Sequence, residues 1–179
     1  MFAAARVAAG LWRERALTLS GGDSRAPALL EAAKTLTTLV PCAVADDDAC
    51  LCGAEAVLDR QAMAIFYKAS TAIALAHMHI AHELGHFWID GDAAQCDAAA
   101  LALVSEEALP FGAARVESYG PKERRECQAN VFARSFLLPE AEARQLWTGG
   151  ENASQIAERL QLPMALVTGR AAERNRKVS

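Results

Sequence analysis

The chain has 179 residues, 53% of them hydrophobic and 22% charged, with a formal net charge of -4. That length makes one domain, or one domain with a small appendage, and is enough to bury a core. The composition excludes a disordered chain, and the acidic balance argues against a general polyanion binder.

Residues 1–19 read as one alanine-rich helix. Arg6 and the cluster Trp12-Arg13-Glu14-Arg15 interrupt its apolar run, which makes it a poor signal peptide. No segment has the length of a membrane span. Ser20-Gly21-Gly22-Asp23-Ser24 is a break, and Ala26 to Leu39 is a second helix, with Pro27 in its first turn and Pro41 as its stop. Asp46-Asp47-Asp48 reads as a solvated turn rather than an ion site. The five cysteines are an odd number at low density, which points to a reducing, cytoplasmic compartment. Cys50-Leu51-Cys52, with Cys42 nearby, lacks the second pair a four-ligand metal site needs, so ordinary thiols are expected there.

Val57-Leu58 and Ala62 to Tyr67 read as two strands around a turn at Asp59-Arg60-Gln61, giving a small antiparallel sheet. Ser70 or Thr71 is the expected cap of the next helix, which runs to Asp90-Gly91-Asp92. A helix is expected over 93–107, then a loop or edge strand from Leu109 to Gly120. Pro121 opens another helix that runs through Arg134 to Leu138 and is closed by Pro139. Asn152 and Gln155 form a capping box for a short helix, Gln161-Leu162 is a turn, and Pro163 opens a second helix. That pattern is helix-turn-helix-like. The expected organisation is α+β and helix-dominated: a domain over 1–148, the helix-turn-helix-like segment over 149–170, and a basic tail over 171–179.

The third helix carries His82-Glu83-Leu84-Gly85-His86. Four residues along a helix turn about 400° and rise about 6 Å, so both imidazoles lie on one face, one turn apart. Two such groups can hold one metal ion, with Glu83 beside them to take a proton from water. The flanks Ile80-Ala81 and Phe87-Trp88-Ile89 imply burial, and buried polar groups need partners. A third ligand is required. Asp90 and Asp92 lie too far along the same helix, whereas a carboxylate on a crossing helix has better geometry. Glu126 fits, with Asn130 one turn later, and Glu123 is the fallback. Tyr67, His79 and Tyr119 are candidates to stabilise an oxyanion, and His77 points away from the site.

Together, the HELGH run, the block Glu126-Cys127-Gln128-Ala129-Asn130-Val131-Phe132-Ala133 and Leu137-Leu138-Pro139 resemble the ImmA/IrrE family of zinc metallopeptidases over about residues 55–170. The resemblance implies a zincin-like core and a zinc ion held by His82, His86 and Glu126. It makes Glu83 the catalytic base and Asn130 a supporting residue. It further implies an endopeptidase whose substrate is a regulatory protein, such as a repressor in stress response or mobile-element control. The segment between the two motifs is longer than in that family, and His79 stands where its members often carry a small hydroxyl residue. The run from Tyr119 to Glu126 also resembles peptidase-type segments joined to superfamily 1 DNA helicases. That implies an alternative, a non-proteolytic module partnering a repair or defence helicase, with a mainly structural zinc. The sparse basic residues of the C-terminal helices argue against DNA contact.

Overall fold

The computed structural model describes residues 2–89 and 120–176, with side chains described as far as Ala171. Asp90, Asp92, Tyr119, the expected helix over 93–107, the expected loop from Leu109 as far as Tyr119, and the basic side chains of the tail lie outside the described residues. Among the described residues, seven α-helices and a three-stranded mixed sheet form an α+β fold dominated by helix. Among the described residues, no helix is long and apolar enough to cross a membrane.

Helix α1 spans Ala3–Leu19 and buries Ala5, Ala9, Arg13 and Ala16, an i, i+4, i+8, i+11 stripe. Helix α2 is Ala26–Thr37, shorter than the expected run to Leu39. Thr38 enters the left-handed region at φ 62 and ends the helix. The Thr37 hydroxyl assists by donating to Ala33 O and accepting from Leu39 N–H.

Pro41 is not the helix stop that the sequence suggested. It lies inside strand β1, Val40–Val44. β1 is an edge strand in the order β1-β3-β2, and a proline is tolerated on an edge because no ladder bond is lost on the open side. Strands β2, Ala56–Asp59, and β3, Ala64–Lys68, are the expected antiparallel pair, with Leu58 opposite Ile65. The Asp59 carboxylate fixes their turn by accepting from the Gln61 and Ala62 N–H groups at 2.8 and 2.9 Å. The sheet is nevertheless not purely antiparallel, because β1 joins β3 in parallel, Cys42 opposite Phe66. The hairpin brings the chain back alongside β1 in the same direction. Asp46 and Asp48 serve this corner locally: Asp46 accepts from Ser70, and Asp48 caps the short 3-10 turn Ala49–Leu51.

Helix α3 spans Ile73–Ile89 and buries nearly every residue from Ala76 to His86. Neither expected cap opens it. The Ala72 carbonyl accepts the first helical bonds, the Ser70 hydroxyl is committed to Asp46, and Thr71 Oγ1 is buried with no partner among the described residues. Helix α4, Pro121–Leu137, starts and stops as its prolines imply. Helix α5, Glu140–Thr148, follows directly after Pro139. Helix α6, Ala153–Leu160, carries the reciprocal Asn152–Gln155 capping box, and Gln161 at φ 55 turns the chain into α7, Met164–Arg176.

Helices α3 and α4 pack together at the centre, with α1 across α4 and β2 along α3. The core is continuous from Leu29 and Leu30 through Phe132 and Phe136 to Ile156, Leu160 and Val167. Trp12 stacks on Trp88 at 4.3 Å, and Trp88 leans on Phe132 at 5.0 Å. Two buried arginines close the C-terminal end of α4. Arg13 donates to the carbonyls of Phe136 and Leu137 and pairs with Glu142, and Arg170 donates to Leu138 O at 2.9 Å.

Candidate metal centre

Two helices build the site. Helix α3 supplies His82, Glu83 and His86, and α4 supplies Glu126 and Asn130. What brings the helices together is the absence of a side chain at Gly85. A Cβ there would meet the Ala129 Cα at 3.0 Å and its carbonyl at 3.1 Å. Gly85 and Ala129 thus let the backbones approach, about one turn from Glu126 on α4 and from His82 on α3, and next to His86.

At this crossing the donor atoms of His82, His86 and Glu126 lie within 4.8 Å of one another, placed to hold a metal ion. His86 Nε2 is 3.1 Å from His82 Nε2, and the Glu126 Oε2 atom is 3.2 Å from the His82 nitrogen and 3.4 Å from the His86 nitrogen. The three residues are 1%, 2% and 5% exposed for His82, His86 and Glu126. On the far side of the His82 ring, Nδ1 donates to Asn130 Oδ1 at 2.8 Å. That bond selects the tautomer in which Nε2 carries a lone pair toward the cluster.

The electrostatics point the same way. Burial pushes the Glu126 carboxyl up, but hydrogen bonds and charge from His82 and His86 outweigh it and hold it at about 2. Positive charge must therefore balance the Glu126 anion in this buried corner, carried by protonated rings or, where the Nε2 atoms are unprotonated, by a metal ion. A cation answers that arrangement.

Glu83 is fully buried beside this cluster, and its Oε2 accepts from Leu58 N–H of β2 at 3.1 Å. The strand holds the carboxylate in place from the side opposite the helix. Farther along, Arg60 Nη2 donates to His86 O at 3.0 Å and to Phe87 O at 3.3 Å, with its guanidinium over the Phe87 ring. Sequence reasoning missed both contacts. The Leu58 bond is a backbone donor and leaves no side-chain signature, and Arg60 had been read only as a turn residue.

The remaining candidates separate clearly. Glu123 is not brought to the cluster, because its carboxylate accepts from Gly120 N–H and caps α4. Tyr67 sits on β3, partly buried against the core. His77 turns away, and its Nδ1 donates to Gln161 O at 3.0 Å, tying α3 to the α6–α7 turn. His79 is 3% exposed, and its Nδ1 is buried with no hydrogen-bond partner among the described residues. Burial pushes its pKa down to about 4, with Glu55 opposing and His82 and Lys68 reinforcing the shift. The described cysteines, Cys42, Cys50, Cys52 and Cys127, are free thiols. Among the described residues, His82, His86 and Glu126 form the one group placed for a metal. No protein-family model, curated protein or solved structure matches this chain.

Proposed function

We propose that this chain is a zinc-dependent endopeptidase of the ImmA/IrrE kind, with a zincin-like core and a helix-turn-helix-like C-terminal pair. The observation that carries the reading is the buried convergence of His82, His86 and Glu126 with Glu83 alongside. Zinc bonded tetrahedrally at about 2.0–2.1 Å would need donor atoms roughly 3.3–3.4 Å apart. The separations of 3.1, 3.2 and 3.4 Å are close to that spacing. Three protein ligands among the described residues would leave a fourth position for water or substrate, as in a catalytic zinc site.

In this mechanism His82, His86 and Glu126 hold the ion, and Asn130 fixes the His82 ring. Zinc supplies Lewis acidity and brings the pKa of water toward neutrality. Glu83, steadied by Leu58 N–H, accepts the proton of the attacking water and passes it to the leaving amine. The substrate class proposed is a regulatory protein such as a repressor, with a DNA helicase as an associate and a cytoplasmic site of action.

The test compares wild type with Glu83→Gln by mapping new protein N-termini in the native host. Cleavage products that vanish in the variant, while zinc is retained, support the assignment. Identical N-termini in both strains would sink it.

A further inference from the structure

Three contacts set β2 and α3 side by side in the same direction. Arg60 reaches the carbonyls of His86 and Phe87, and Leu58 N–H reaches Glu83. His79 is therefore the next polar group along the same corridor, one helical turn before His82 and Glu83. Arg60 Nη2 and the Glu83 carboxylate are engaged by hydrogen bonds and Leu58 N–H is spent, while Arg60 Nε is buried with no hydrogen-bond partner among the described residues. His79 Nδ1 has no hydrogen-bond partner among the described residues although it is buried. An unpaired buried nitrogen costs stability, and folded chains keep such a group rarely.

We propose, resting on the peptidase reading above, that His79 forms a polar subsite beside the cleavage centre. Its Nδ1 would be completed by an uncharged hydrogen-bonding side chain of the bound peptide: Asn, Gln, Ser or Thr. The neighbouring charges favour that class. Lys68 and Glu55 are paired with each other, so they leave no net charge to attract an ionic side chain. A charged side chain would lose its hydration in this interior without an opposite charge to meet. An aliphatic one would leave Nδ1 unpaired, and a site built to hydrogen-bond its ligand rejects analogues that cannot do so. The Lys68 and Glu55 side chains are 20% and 44% exposed, long and rotatable, and under this proposal they move aside to admit the peptide side chain.

The test uses the full chain with added Zn2+ in a Glu83→Gln background, where peptides are held without cleavage. A peptide pool varied at the positions around one candidate scissile bond is captured, with and without His79→Leu and His79→Gln. Peptides with Asn, Gln, Ser or Thr at one flanking position are expected to be retained about tenfold better than aliphatic or charged analogues. His79→Leu abolishes that preference and His79→Gln keeps part of it. Without peptide, His79→Leu raises the thermal midpoint, because it removes an unpaired polar atom from the interior. Capture indifferent to peptide class, or a midpoint lowered by His79→Leu, overturns the subsite. Selective capture without Glu83-dependent cleavage by the wild type would refute the peptidase reading and leave the subsite standing. Cleavage by the wild type with a KM unmoved by His79→Leu would refute the subsite alone.

Discussion

The two ends of α4 bury polar groups in opposite ways. At the C-terminal end, Arg13 and Arg170 enter the interior and meet carbonyls that the helix cannot satisfy by itself, together with Glu142. Donors meet acceptors, and that cluster is complete with protein alone. At the other end, the Glu126 anion meets the His82 and His86 ring nitrogens across little more than 3 Å, and with neutral rings lone pairs face lone pairs. The first arrangement is what structure requires. The second holds together best around a cation, so the same helix carries a structural clamp at one end and the candidate site at the other.

Breaking the clamp is expected to have the largest effect on stability. Arg13→Met leaves the Phe136 and Leu137 carbonyls and Glu142 without their donor, at a cost of about 3 kcal/mol. Chemical denaturation measures it. Zinc affinity should be preserved in whatever fraction stays folded, because the clamp lies about three turns of helix from Glu126.

Asn130→Ala probes the other end. It removes the partner that orients His82, and a change of this kind typically weakens metal affinity 10–100-fold, about 1.4–2.7 kcal/mol. Competition with a zinc chelator reads this directly. In the metal-free protein the change leaves the buried His82 Nδ1 unpaired at a cost of about 1 kcal/mol, less than that of Arg13→Met, so chelator competition and denaturation together separate the two ends.

The smallest effect is one of pH. His79 is held near 4 by burial, below its ordinary 6.5. The unfolded chain therefore binds the extra proton first. The stability that comes from a neutral His79 is fully present above about pH 6.5 and is lost as pH falls toward 4. The loss is about 1–2 kcal/mol, set below the full shift because the surroundings relax. Denaturation curves across that window should show the slope in wild type and a shallower one in His79→Leu.

Much of the site was legible because its chemistry is written in side chains at helical spacing. His82, Glu83 and His86 fall on one face by period alone, and Glu126 with Asn130 repeats the same one-turn logic on a second helix. The α3–α4 contact was legible only in part: Gly85 and Ala129 stand inside the motifs, but their role as a point of close approach needs the fold. The β1 strand was read as a helix stop because five residues containing a proline carry no alternation, and only pairing with β3 makes them a strand. Helix α5 went unnoticed behind Pro139, since nine residues give too little periodicity to read. The Leu58 and Arg60 contacts depend on tertiary placement, which local pattern does not encode.

Metal analysis of protein dialysed against limiting Zn2+ tests whether His82, His86 and Glu126 hold one zinc ion. One zinc per chain is expected in wild type and in Glu83→Gln, and essentially none in a folded His82→Ala, His86→Ala or Glu126→Ala variant. Zinc retained at full stoichiometry in all three ligand variants, or absent from the wild type, would contradict it.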